Sequence, residues 1–262
     1  MHSDIHARAV SAVPRSTVAA KTQRFEKTSE TAGTPPRFED LDIPPSDKGT
    51  SVSKEEAEFM HGLVARLRPK ATLEVGFGYG ASTAFIVSGA RVTHYVMDPF
   101  QQDYGHRALG NLRKLGLDSY VKFFPHYSHS ALPQLLQEGV RVDFAFIDGG
   151  HRFDDIFVDF YYTDLLLEQG GHILLHDAWM RSTQHVASWI KSNKRNYTVV
   201  PTERKNLILF RSAEKTIAPG TTSAASPLSN PYGATRRTPG SGKSARSWEK
   251  SVSFLAPPRT AS

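Results

Sequence analysis

Two short stretches carry acids and imidazoles in an order that chemistry could use. Ile147-Asp148-Gly149-Gly150-His151 follows one apolar run, and Leu175-His176-Asp177-Ala178-Trp179 follows another. Asp148 and Asp177 stand 29 positions apart, the length of one strand–helix–strand step. If the two runs are neighbouring strands, both carboxylates point into one cleft. Converging carboxylates repel unless a proton or a cation lies between them. Oxygen donors in a partly open site suit Mg²⁺, which keeps waters and accepts a substrate oxygen. His151, three positions after Asp148, has the side chain best suited to take a proton from a hydroxyl near neutral pH. His176 beside Asp177 adds an imidazole, which favours softer divalent metals than Mg²⁺.

A second constellation lies earlier in the chain. Leu73-Glu74-Val75-Gly76-Phe77-Gly78-Tyr79-Gly80 ends an apolar run and opens a helical one. Glycines at such a turn permit positive φ and a close backbone approach to a ligand. Val96-Met97-Asp98-Pro99 ends the next apolar run, and a carboxylate there can accept both hydroxyls of a ribose. The glycines read G-x-G-x-G, with Ala81 at the last place of a dinucleotide fingerprint, so a nicotinamide cofactor stays open at this point. Glu74, just before the glycines, sits badly beside a pyrophosphate and suits a ligand with an ammonium group.

The elements that must hold these residues alternate. A helix capped by Ser51 or Ser53 runs to about residue 68, stopped by Pro69. Strands are predicted at 71–77, 92–97, 121–124, 142–147 and 172–175. Helices are predicted at 81–88, 104–115, 130–137, 153–167 and 183–192, the fourth closed by Gly170-Gly171. Phe153, Ile156, Phe157 and Phe160 have helical spacing and read as core. Asp154, Asp155 and Asp159 read as acids favouring the helix dipole. His106, His126, His129 and His172 are read as structural or solvated. The last two β-like runs, 197–200 and 207–210, are joined by a short polar link and should form an antiparallel hairpin. Alternating strands and helices mean a mostly parallel sheet covered on both faces, with ligands at the carboxyl ends of the strands.

Glu74-Val75-Gly76-Phe77-Gly78-Tyr79-Gly80 resembles motif I of class I S-adenosylmethionine-dependent methyltransferases, and the likeness extends over roughly residues 51–212. It implies a Rossmann-like α/β fold with a seven-stranded, mostly parallel sheet and a C-terminal antiparallel hairpin. It implies that Gly76, Phe77, Gly78 and Gly80 form the loop around the methionine part of S-adenosylmethionine. Glu74 would hold that loop on its ammonium side, and Asp98 would bind the ribose. The segment 125–133 resembles the adenine-contacting pattern G-D-S-x-x-x-L-P. His126 and Tyr127 replace its first two residues, and Ser128, Leu132 and Pro133 are kept.

The stretch 144–179 resembles a subfamily that includes metal-dependent macrolide-sugar O-methyltransferases and cephalosporin-tailoring enzymes. That likeness implies Mg²⁺ or another divalent metal on Asp148 and Asp177, and His151 as general base. It puts Asp148 close to the cofactor as well. His176 stands where the pattern has an acid, which would make it a third metal ligand of a softer kind.

Composition bounds the rest. There is no cysteine, which excludes disulfides and thiolate chemistry. The net charge of +6 belongs to the ends. Residues 213–262 hold seven Lys/Arg against two Asp/Glu, residues 1–40 hold six against five, and 41–212 are balanced. A folded body without net charge argues against a nucleic-acid groove. No apolar run reaches membrane-span length and no secretory h-region opens the chain, so a cytoplasmic location is expected. Residues 1–48 and 213–262 are rich in small and polar residues and read as disordered, the second as a basic tail with Trp248 and Phe254 as exceptions. Residues 49–212 form the expected domain. The function expected is methyl transfer from S-adenosylmethionine to a hydroxyl of a small molecule. A catalytically silent binding protein of the same fold, or an NAD-dependent oxidoreductase, are the alternatives.

Overall fold

The protein is described over residues 33–213 from a computed structural model. The basic segment 214–262, with Trp248 and Phe254, and residues 1–32 lie outside the described residues. The elements run α1 (Lys54–Leu67), β1 (Ala71–Val75), α2 (Ala81–Ala90), β2 (Thr93–Met97), α3 (Arg107–Lys114), β3 (Val121–Phe124) and α4 (Ser128–Gln137). They continue with β4 (Val142–Ile147), α5 (Phe153–Leu166), β5 (Leu167–Leu175), α6 (Arg181–Asn193), β6 (Tyr197–Val200) and β7 (Ile208–Ser212). One seven-stranded sheet results, in the order β3-β2-β1-β4-β5-β7-β6. The first five strands pair in parallel. β7 inserts antiparallel between β5 and β6. The Rossmann-like topology expected from the sequence is the one observed.

Alternation along the strands builds two cores. Phe144 and Phe146 of β4 pack toward Met60 and Val64 of α1, Phe85 and Ile86 of α2, and Leu112 of α3. Ala145 and Ile147 face the other way, toward Leu132 of α4, Phe160 of α5 and Ile190 of α6. Successive strand residues point to opposite faces, so a strand covered on both sides must be apolar throughout. α2 is buried at every position but Ala90, as expected of a helix apolar all round.

Strand order reverses between β1 and β4. β1 leads outward to β2 and β3, while β4 leads the other way to β5. Such a switch point opens a crevice at the carboxyl ends of the two strands, the usual ligand site of open α/β sheets. The glycine run follows β1 and Asp148 follows β4, so both constellations flank that crevice.

Two boundaries and one burial differ from expectation. β5 begins at Leu167, not at His172, because a register shift opposite Val142 and Phe144 absorbs the extra residues, with Gly170 at φ +80°. Gly170-Gly171 therefore kink a strand and do not end a helix. α3 begins at Arg107 and leaves Tyr104 in a turn, since Gly105 (φ +59°) and His106 (φ +54°) are left-handed. Of the helix residues read as core, Phe153 is exposed, whereas Phe160 and Ile156 are buried.

The fourth difference concerns the N-terminal segment. Residues 33–53 lie across α2 and α3 as a strap with two short 3₁₀ turns, Phe38–Asp40 and Pro45–Thr50. Leu41 is buried, and Phe38 and Ile43 pack on the α1–α3 core. Gly33 N–H donates to Ser88 O at 3.0 Å, and Asp42 N–H donates to Asn111 Oδ1 at 2.8 Å. The ordered body thus reaches back beyond residue 49, where composition placed its edge. A few well-spaced apolar residues suffice to anchor a segment whose average composition is polar.

Candidate active site

The glycine run is pinned from below. Glu74 is fully buried, and its carboxylate accepts from the Ser82 hydroxyl, from Thr83 Oγ1 at 2.7 Å and from His94 Nε2 at 3.0 Å. His94 Nδ1 in turn meets Thr72 Oγ1 at 2.8 Å. The carboxylate therefore faces α2 and β2, not the crevice. Glu74 thereby supports the loop by tying β1 to the first turn of α2. Leu73 and Val75 take the opposite face of the strand.

Gly76 (φ +92°) lies against the chain after β4. A Cβ on Gly76 would fall on the carbonyl oxygen of Asp148, and Asp148 N–H donates to Val75 O at 2.9 Å. Gly78 (φ +47°) differs, because a Cβ there would meet nothing within 4 Å. It leaves the open part of the cradle. Phe77 turns its ring into the core against Phe123, at 5.3 Å between centroids, so its backbone alone faces the loop. Gly80 (φ +76°) precedes α2 and lets the chain enter the helix.

Asp98 closes the other side. Its Oδ2 accepts from Phe77 N at 3.0 Å, Gly78 N at 2.9 Å and Gln101 Nε2 at 3.2 Å, while Oδ1 accepts from Phe100 N at 2.7 Å. A carboxylate has about four acceptor sites, so Oδ1 retains capacity for a ligand hydroxyl. Next to it stand two exposed aromatics, Phe100 and Tyr127, in edge-to-face contact at 5.7 Å. Tyr127 also stacks on His129 at 5.2 Å. Ser128, at the start of α4, is bonded to Asp159 of α5. Phe100 was not singled out in the sequence, although its position two after Asp98 could have drawn attention to it.

The acids and imidazoles converge as the spacing suggested. His151 Nε2 lies 3.0 Å from Asp177 Oδ2 and 3.9 Å from Asp148 Oδ1. His176 Nδ1 lies 2.8 Å from Asp148 Oδ1 and 3.5 Å from Asp177 Oδ1. Asp177 has a left-handed backbone (φ +52°), and its Oδ1 also accepts from Trp179 Nε1 at 3.0 Å. Donation to the Asp148 and Asp177 carboxylates pushes the His151 imidazole up to about 9. Burial alone would lower His176, but Asp148, Asp177 and Glu56 carry it up to about 12. The two imidazoles hold Asp177 well below the usual carboxylate range.

Among the described residues, Asp148, His151 and Asp177 form a group whose donor atoms all lie within 4.8 Å of one another. Two oxygens and one imidazole nitrogen fit a borderline divalent cation better than Mg²⁺. His176 does not join that group as the sequence suggested. Its Nδ1 is engaged by the carboxylates, and its Nε2 faces Glu56 and Asn206. Glu56 and Asn206 are site residues that sequence reasoning missed. Ser53-Lys54-Glu55-Glu56 was legible as a capping signal, but a contact made 120 positions away leaves no local mark.

Comparison with known proteins follows this geometry. Residues 73–178 match a family model described as a methyltransferase domain. Solved structures that superpose on the chain include the O-methyltransferase from Bacillus cereus in complex with SAH. It is 17% identical, with TM-score 0.56, covering 66% of this chain and 85% of that one. The fold is the class I methyltransferase fold. The O-methyltransferase TomG from Streptomyces achromogenes, involved in tomaymycin synthesis and solved in complex with SAM, is 14% identical. Its TM-score is 0.55, and the match covers 66% of this chain and 92% of TomG. The SAH-bound methyltransferase from Podospora anserina is 16% identical at TM-score 0.56, covering 66% and 83%. No curated protein sequence matches the chain significantly. The matched methyltransferase domain begins within β1 and ends just after Asp177, so it spans both constellations. Among the described residues, no helix is long and apolar enough to cross a membrane.

Proposed function

We propose that this chain is an S-adenosylmethionine-dependent methyltransferase acting on a hydroxyl of a small molecule. One observation carries the reading. The glycine cradle and the acid–imidazole cluster meet backbone to backbone across the switch point, where Gly76 rests on the Asp148 carbonyl. A donor held by one is thereby beside an acceptor held by the other.

The residues fit the cofactor. Gly78 opens the cradle, Asp98 Oδ1 can take a ribose hydroxyl, and Phe100 and Tyr127 offer apolar surface for the adenine. Bound S-adenosylmethionine supplies a methyl group on a sulfonium, ready for in-line displacement. The chain must then hold an oxygen nucleophile in line and receive its proton. His151 Nε2 is the receiving atom in this reading, and Asp177 Oδ2, 3.0 Å away, orients the ring and balances its charge. The 4.8 Å grouping of Asp148, His151 and Asp177 favours a second reading, in which these three hold a divalent cation that acidifies the acceptor hydroxyl.

Calorimetry tests the donor: S-adenosylmethionine should bind and NAD should not. Absence of S-adenosylmethionine binding, with and without divalent ions, would remove the proposal. Binding without methyl transfer to broad hydroxyl libraries would favour the silent alternative. Replacing His151 by Ala should cut turnover on a found acceptor by about 10²- to 10⁴-fold. Strong chelation separates the two readings, since turnover that survives it excludes the cation.

A further inference from the structure

We propose that Glu56, in the first turn of α1, is a positioning residue for the acid–imidazole cluster and acts through His176. The inference rests on the methyltransferase reading for its catalytic part alone.

A glutamate at the third position of a helix ordinarily completes a capping box on the surface. Glu56 does complete one: its Oε2 accepts from Ser53 N at 2.8 Å and Ser53 Oγ at 2.9 Å. Yet it is buried, at 8% exposure, which surface capping does not need. The same Oε2 lies 3.5 Å from His176 Nε2. Burial by itself would raise this carboxyl, but bonds from His176, Ser53 and Asn206 lower it to about 2. Glu56 is therefore a fixed anion facing the back of the His176 ring.

The ring is held on three further sides. Phe146 meets it edge-on at 5.8 Å and 71°. The Asn206 side-chain amide lies 3.1 Å from Nε2. Asp148 Oδ1 lies 2.8 Å from Nδ1. With Nε2 held at the back, Nδ1 must point at the carboxylates. It occupies Oδ1 of Asp148 and approaches Oδ1 of Asp177, which leaves Asp177 Oδ2 to His151. His176 thus decides which oxygen each acid presents, and Glu56 decides which way His176 faces. Glu56, His176 and Asp148 form one chain of contacts from the first turn of α1 to the reactive cluster.

The substitution Glu56→Gln tests this. Glutamine keeps the capping box, which accepts Glu or Gln, but removes the anion. The first readout is nitrogen NMR of the His176 ring in the ligand-free protein. Both ring-nitrogen signals should shift in Glu56→Gln, and signals left unmoved would overturn the proposal whatever the chain catalyses. The second readout is kinetic. Turnover should fall about 10- to 100-fold, the usual effect of losing an outer partner of a site, while affinity for S-adenosylmethionine is unchanged. Ser53→Ala is the control, because it removes the cap and not the anion. It should lower thermal stability and keep turnover. Equal loss of turnover in Ser53→Ala, or full turnover in Glu56→Gln, would reduce Glu56 to a capping residue. If wild-type protein transfers no methyl group, the functional reading falls, and the ring signals still decide the link between Glu56 and His176.

Discussion

Asp159 is an acid without the company that Glu74 enjoys. It sits on α5 at 1% exposure, with Oδ1 lacking any hydrogen-bond partner. Sequence grouped it with Asp154 and Asp155 as an acid favouring the helix dipole, but one helical turn further on it is buried. Burial, reinforced by Asp155 and opposed by a bond from Ser128, pushes it from 3.8 to about 7. The folded state therefore keeps a proton that the unfolded chain releases above about pH 4. Stability from this group is greatest below pH 4 and declines as pH rises to about 7. Asp159→Asn removes the decline, so the variant should gain relative to wild type between pH 5 and pH 8 in denaturant titrations. An equal difference at both pH values would contradict the buried, protonated state.

His151 shifts in the same direction, but here the raised value keeps a charge instead of removing one. Its folded value is raised from 6.5 to about 9, so the ring is charged at neutral pH in the ligand-free, chelated protein. A base must be neutral, and kcat/KM reports the free enzyme. In chelated enzyme kcat/KM should climb with pH and level off above about 9. A profile flat from pH 6 to 9 would remove His151 as the base. That Asp148, His151 and Asp177 come together was legible in the sequence, because each stands at a fixed offset from a strand end. Glu56, Asn206 and Phe100 were not, since packing brings them in and no spacing announces it.

At the scale of elements, Gly76 and Gly78 make separable predictions. Gly76→Ala would place a methyl on the Asp148 carbonyl as well as forcing a left-handed alanine. The left-handed backbone alone costs about 1–2 kcal/mol, and the clash adds to it. Chemical denaturation should show a loss above that figure. Gly78→Ala meets open space, so its stability loss should stay within that figure while S-adenosylmethionine affinity drops. Equal stability losses in the two variants would deny the backbone contact across the switch point. Strand and helix order was readable from alternation of apolar runs and turn residues. The irregular start of β5 was not, because a bulge depends on the register with β4, which is a property of two strands. The late start of α3 follows from left-handed His106, a conformation that sequence rarely marks outside glycine.

For the whole molecule, the N-terminal strap is where composition misled. Average polarity hid Phe38, Leu41 and Ile43, which together fasten residues 33–53 to α1–α3. Asp47 bonds the Tyr79 phenol inside the glycine run, and Arg107 Nη1 meets Asp42 Oδ1 at 2.9 Å. A protein starting at residue 49 should therefore melt below one starting at residue 33. Loss of the buried Leu41 side chain alone is worth about 2 kcal/mol, so the gap should be about 5 °C or more by calorimetry. Identical melting temperatures would restore the boundary that composition suggested.

The connection between β6 and β7 reaches further than a hairpin link needs to. Asn206 places its amide against His176 and its carbonyl oxygen on Ala178 N at 3.1 Å, while Pro201, Glu203 and Lys205 face solvent. A short, largely exposed turn at the edge of the sheet thus touches the cluster through Asn206. On the proposed methyltransferase reading, rewriting its exposed positions should alter the acceptor side and leave affinity for S-adenosylmethionine unchanged. Randomising residues 201–205 while keeping Asn206, whose contacts with His176 and Ala178 hold the turn in register, is accordingly a route by which such a scaffold could be bred toward new acceptors on that reading.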